Sequence, residues 1–197
     1  MNKRNKQSRR LRILSVVIIS FVLIFTNLGV IEGHAAMSSY MEVNNVDVAE
    51  GNIEGDVTKL GRENMHSVYA IEHHIEIPRD PHTGLPTGSR IHHPFTVTTN
   101  VNQGLPFFYQ ILTTGSQSTI SIDYYRIADN GVEELYFTIL LEDAIMVNIQ
   151  HNKLNILNPD NKPFPDMVSV SFTYSKITWT YHDGNIMVSD DWIAPRT

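Results

Sequence analysis

Histidines and carboxylates are the side chains of this sequence best suited to chemistry, nine and twenty-one of them respectively in 197 residues. Two adjacent pairs, His73-His74 and His92-His93, flank a stretch that also holds His82. Imidazole is a common zinc ligand, so a metal centre is the first chemistry to weigh. Neighbours on a strand point to opposite faces, so neither pair can close on one ion by itself. A site would need His73 or His74 to meet His82, His92 or His93 across the intervening stretch. The sequence has no His-Glu-x-x-His and no His-x-His. These residues therefore read as strand-end and loop histidines hydrogen-bonded to backbone.

The carboxylates cluster as Glu133-Glu134, Glu142-Asp143 and Asp190-Asp191. General acid–base work needs two carboxyl groups facing one cleft with separated pKa values. Strand neighbours diverge instead, and these pairs read as solvated faces. Cysteine is absent, which excludes disulfides, thiolate nucleophiles and Cys-containing zinc sites. No Gly-x-Ser-x-Gly elbow, Walker loop or dinucleotide fingerprint occurs. The expectation is a protein with no catalytic centre, no cofactor and no metal.

Charge narrows the partners. Residues 1–12 carry Lys3, Arg4, Lys6, Arg9, Arg10 and Arg12 and no acid. From Met37 onward nine Lys and Arg face twenty Asp and Glu, a net charge of −11. Such a body repels nucleic acid and anionic lipid, and its remaining cations form no basic stripe.

The elements that must position these groups read as β. Ile71, His73, Ile75 and Ile77 alternate with Glu72, His74 and Glu76, which predicts a strand over 71–77. Phe95, Val97, Thr99 and Val101 alternate next, then Ile120, Ile122 and Tyr124, closed by the turn Asp129-Asn130-Gly131. Leu135, Phe137, Ile139 and Leu141 mark a fourth strand, and Ile145, Val147 and Ile149 a fifth. The longest strand runs over 168–181, with inward parity slipping by one near Ser175-Lys176, where a bulge is expected. His182-Asp183-Gly184-Asn185 turns the chain into a short last strand, and 39–46 opens the body. Residues 105–115 break the pattern. Pro106 stands where a helix starts and Gly115 where one stops, with Phe107, Phe108, Ile111 and Leu112 on one face. So short a helix is not stable alone in water and must lie on the β core. The fold class expected is an antiparallel β-barrel of two packed sheets with one short flanking helix.

Two loops are stiffened by proline. One spans residues 77–95; the other is Asn158-Pro159-Asp160-Asn161-Lys162-Pro163-Phe164-Pro165-Asp166, which lacks the ligand spacing of a calcium loop. A pre-ordered loop loses less entropy on docking, so both favour an interaction role over a catalytic one.

The run Pro78-Arg79-Asp80-Pro81-His82-Thr83-Gly84-Leu85-Pro86-Thr87-Gly88-Ser89-Arg90, followed by Ile91-His92-His93-Pro94-Phe95, resembles the haemolysin-coregulated protein (Hcp) family, the tube proteins of bacterial type VI secretion systems. Weaker matches follow in order: Pro106-Phe107-Phe108-Tyr109-Gln110, Tyr125-Arg126, Glu134-Leu135-Tyr136-Phe137-Thr138, Pro159-Asp160-Asn161-Lys162-Pro163-Phe164, Lys176-Ile177-Thr178-Trp179 and Ser189-Asp190-Asp191-Trp192. The resemblance implies a homohexameric ring, stacked rings forming an ejected inner tube, small effectors in the channel, and spike and sheath partners. It makes residues 78–94 the inter-ring contact loop, with Pro78, Arg79, Asp80, Pro81, His82, Leu85, Arg90, His92 and His93 as contact residues. The chain departs from the family at Gly61-Arg62-Glu63-Asn64, where members carry Gly-His-Glu-Asp. The alternative reading is a membrane-anchored or periplasmic β-domain that binds a protein or small ligand and builds no tube. A third is a hydrolase using metal on the loop histidines.

The first 36 residues conflict with a cytoplasmic tube. A basic head precedes residues 13–31, which carry no charge, and small residues stand at Gly33 and Ala35. This matches a secretory signal cut after Ala35. The uncharged run, about 28 Å as a helix, is also just long enough for an anchor. Initiation at Met37 is the third possibility. The expected division is a leader over 1–36 and an Hcp-like barrel over 37–197. A chain that its leader exports could not join a tube assembled in the cytoplasm. An Hcp protein without a leader leaves through the type VI system after assembly; one that keeps it stays at the inner membrane or in the periplasm.

Overall fold

The computed structural model describes residues 37–49 and 51–192, so the leader lies outside the described residues. β1 (Ser39–Asn45) opens the body and turns through a single helical turn, α1 (Val46–Ala49), into the short β2 (Gly51–Asn52). β3 (His66–Glu72), β6 (Phe95–Asn100), β7 (Gln117–Ile127), β8 (Glu133–Asn152) and β9 (Met167–Thr173) are the other long strands. They pair antiparallel in the order β8-β7-β1-β3-β6-β9, and β9 returns to pair with β8, closing a barrel. Closure leaves these strands no open edge. β10 (Lys176–Tyr181) and β11 (Ile186–Asp191) extend the same sheet outward from β8 as a hairpin. A separate two-stranded sheet, β4 (Ile75–Glu76) with β5 (Ile91–His92), forms the root of the proline-rich arm.

Alternation places the core. Met41 and Val43 of β1, Phe95 and Val97 of β6, Ile120 and Ile122 of β7, and Val170 and Phe172 of β9 all point into the barrel and are buried. α2 (Leu105–Thr114) covers the core with Leu105, Phe108 and Ile111. It stops at Gly115, whose φ of 67° suits glycine and lets its N–H return to Ile111 O. Of the predicted helical face, Phe107 turns outward instead and Leu105 takes its place.

Three strand expectations are corrected. The strand predicted over 71–77 breaks at His73-His74: its first residues end β3, and Ile75-Glu76 leave for the arm. The fourth and fifth strands are one, because β8 runs unbroken for 20 residues. Its inward parity changes at Asp143, which sits at φ 51°, so Ala144 and Met146 are buried rather than Ile145 and Val147. The strand over 168–181 is two, separated at Tyr174-Ser175. Parity slips where expected, but the cause is a bend shared with β8, not a bulge. β9 pairs with the second half of β8, β10 with the first, and Ser175 N donates to Glu142 O at 3.0 Å across the corner.

Candidate interaction arm and its clamp

The arm leaves the body after β3 and returns at β6. Its tip is ordered by its own hydrogen bonds. Asp80 Oδ1 accepts from Thr83 N at 2.8 Å, His82 N at 2.9 Å and Thr83 Oγ1 at 3.1 Å. These donors, Thr83 N first, hold the Asp80 carboxyl below its ordinary range. Gly84, at φ 71°, donates to Asp80 O, while Asp80 N donates to Leu85 O and Thr87 N to Pro78 O. A bridge joins Arg79 to Pro86. Proline has no N–H to waste, so Pro78, Pro81 and Pro86 stiffen the tip without orphaning a donor. Arg79, Pro81, His82 and Leu85 are all exposed, and Leu85 keeps 64% of its surface in solvent.

The root is a ladder of imidazoles and aromatics. His74 stacks on His93 with ring centroids 4.7 Å apart, and His93 Nε2–H donates to Glu76 Oε1 at 3.1 Å. His73 and His92 point the other way and meet on one hydroxyl: both His73 Nε2 and His92 Nδ1 lie 2.8 Å from Tyr174 Oη. His92 is only 3% exposed, and its Nε2–H donates to Asp190 Oδ2 at 3.0 Å. The same oxygen accepts from Arg90 Nε at 2.6 Å, and Arg90 also donates to the Asp191 carbonyl. Trp192 stacks on His92 at 5.1 Å and meets Tyr174 edge-on at 5.2 Å. His73 packs 4.8 Å from Phe95 and 6.4 Å from Trp179. Burial, then the neighbouring His92 and His74, lower the His73 pKa to about 4. Burial and the Asp190 charge push the Tyr174 phenol up.

The structure therefore divides the nine residues expected in the loop. Arg79, Pro81, His82 and Leu85 are presented outward; Pro78 and Asp80 shape the tip; Arg90, His92 and His93 fasten the root. His73, His74, His92 and His93 find side-chain partners rather than the backbone partners expected. Among the described residues no group of three or more His, Asp or Glu is arranged to hold a metal. Tyr174, Asp190 and Trp192 complete the clamp although sequence reading treated them as strand residues or solvated acids. They lie 82 to 101 residues from their histidine partners, too far for any short motif. One available signal was the strand slip beside Tyr174; another was that both tryptophans of the chain follow it, Trp179 in β10 and Trp192 just past β11.

The carboxylate pairs diverge as expected but are not merely solvated. Glu133 Oε2 bridges Lys59 at 2.5 Å and Arg62 at 2.9 Å, Glu134 holds Arg126 at 2.7 Å, and Glu142 meets Lys176 at 2.6 Å. Arg62, one of the two residues in 61–64 that depart from the pattern given above, lies over Tyr125 at 3.6 Å and Tyr40 at 5.6 Å from the ring centroids. Its guanidinium pins the loop before β3 onto β1 and β7.

Three comparisons match this architecture. The family model described as "Type VI secretion system effector, Hcp" matches residues 40–181, from β1 through the arm to β10. The "Major exported protein" of Pseudomonas aeruginosa PAO1 is 39% identical over 142 residues, 72% of this chain and 83% of that protein. A crystal structure of an Hcp protein superposes with a TM-score of 0.74 at 28% identity, covering 81% of this chain and all of that one. A mutant of the Hcp1 protein from Escherichia coli EAEC 042 gives 0.70 at 34% identity, over 80% and 99% of the two chains. With a closed antiparallel barrel, a clamped arm and these relatives, the chain belongs to the Hcp family of type VI secretion system proteins.

Proposed function

We propose that this chain is a structural tube subunit: copies assemble into homohexameric rings, and rings stack into the inner tube that a type VI secretion system ejects. The observation that carries this reading is the arm, whose tip is exposed but ordered by its own hydrogen bonds and whose root is fixed to the body. Such an arm loses little entropy when it docks. Arg79, His82 and Leu85 reach the neighbouring ring, and Arg90, His92 and His93 set the direction of the reach.

Side-by-side contact has its own support. β11 pairs only with β10 among the described residues and exposes Ile186, Met187 and Val188 in succession. The loop after β8 exposes Ile156, Leu157 and Phe164. Two different apolar patches on one molecule suit a head-to-tail contact, the kind that closes rings. The relative named as an exported protein accords with secretion. The role is structural, with no catalytic step, cofactor or nucleic acid; effectors in the channel, spike and sheath are the partners. The alternative of a solitary β-domain draws no support from these relatives. The body from Met37 is the assembling unit whichever start is used. Mass determination of the mature N-terminus in the native cell separates cleavage after Ala35, a retained anchor and initiation at Met37.

Leu85→Asp tests the arm. Leu85 is exposed and is not part of the buried core, so electron microscopy should show intact single rings that no longer stack. Tubes of unchanged length, or loss of the rings themselves, would overturn the assignment.

A further inference from the structure

The clamp beneath the arm is a directional chain of hydrogen bonds. Asp190, already held by Arg90, can only accept, so His92 donates through Nε2–H. His92 then offers a lone pair at Nδ1, which accepts from the Tyr174 O–H. The Tyr174 oxygen in turn accepts from His73 Nε2–H. Four groups from four segments are joined this way: the end of β3, the arm strand β5, the bend between β9 and β10, and the edge strand β11. Every donor has an acceptor, and the direction is fixed from one end.

We infer that this chain is an acid-released latch: gain of a proton by His73 opens the root of the arm while the barrel stays folded. His73 Nε2–H is already committed to the Tyr174 oxygen, so an added proton sits on Nδ1 and turns the ring into a cation. That cation is packed against Phe95, Tyr174 and Trp179, while the carboxylates of the root, Asp190 and Glu76, are held by His92 and His93 instead. It regains water only when the root opens. The groups facing His73 are Tyr174, His92 and its neighbour His74, with Asp190 and Arg90 behind His92. His74 in turn stacks on His93, which donates to Glu76.

The sign follows from linkage. In the closed latch His73 resists protonation down to about pH 4; in an open arm it takes its proton near the ordinary 6.5. Closure is therefore fully favoured above about 6.5 and loses its advantage as pH falls toward 4. Its consequence for tubes rests on the arm's role in stacking, but the latch itself does not.

Both tryptophans of the chain, Trp179 and Trp192, lie in the cluster, so intrinsic fluorescence reads the latch. The purified protein should show an emission change between pH 6.5 and 4 with the far-ultraviolet circular dichroism unchanged. Hydrogen exchange, corrected for intrinsic rate, should lose protection at Ile91, His92 and His93 over the same range and keep it in β7 and β8. His73→Gln keeps an N–H for Tyr174 but takes no proton, and should move the transition down by at least one pH unit. A flat wild-type titration, or a transition unmoved in His73→Gln, would overturn the latch. Tube length measured in parallel separates the two readings: a latch that opens without shortening tubes refutes the stacking role and leaves the latch standing.

Discussion

Two ring nitrogens converge on the Tyr174 hydroxyl, so removing that oxygen strands both. Tyr174→Phe should lower stability by about 1–3 kcal/mol, the usual cost of leaving buried polar groups unpaired. Urea denaturation should show a lower midpoint with an unchanged slope. At Arg62 the charge matters less than the plane. Arg62→Lys keeps a cation for Glu133 but loses the stack on Tyr125, and should cost about 0.5–2 kcal/mol in the same assay. His66 adds to the pH dependence. It is fully buried, its Nε2–H donates to Ile53 O at 3.0 Å, and its Nδ1 accepts from Asn102 at 3.1 Å. Burial lowers its pKa, so the unfolded chain binds the proton first. Stability should hold above pH 6.5 and fall as pH drops below it, and His66→Gln should flatten that slope.

At the scale of the element, α2 has a tight entry and an open exit. A Cβ on Gly104 would stand 2.5 Å from His66 Cε1 and 3.1 Å from Glu54 O. Gly104→Ala should therefore destabilise more than Gly115→Ala, which meets no atom and costs only the left-handed backbone, about 1–2 kcal/mol. Comparing the two thermal midpoints checks this. The helix was legible because its Pro and Gly are local signals, and β1, β6 and β7 because their alternation is clean. The joined β8 was not. Asp143 carries the strand through a bend at φ 51°, and a parity change inside one strand looks like two strands when only spacing is read. The break at His73-His74 was hidden for the opposite reason, since alternation continued through a point where the chain changes sheets. The arm itself was recognisable as a motif, whereas its clamp was not, because that depends on Tyr174 and Asp190 arriving from distant strands.

For the whole molecule, charge and apolar patches pull in opposite directions. A body at −11 repels its copies, so added salt should lengthen tubes by screening. Shorter tubes at higher salt would contradict electrostatic opposition to stacking. Met187→Glu places another charge on the exposed edge strand, outside the buried core, and should leave a folded monomer that does not form rings. The central claim is self-assembly, and electron microscopy of the purified protein tests it most directly. Sixfold rings that stack into tubes are the predicted image. A monodisperse monomer at high protein concentration would contradict it.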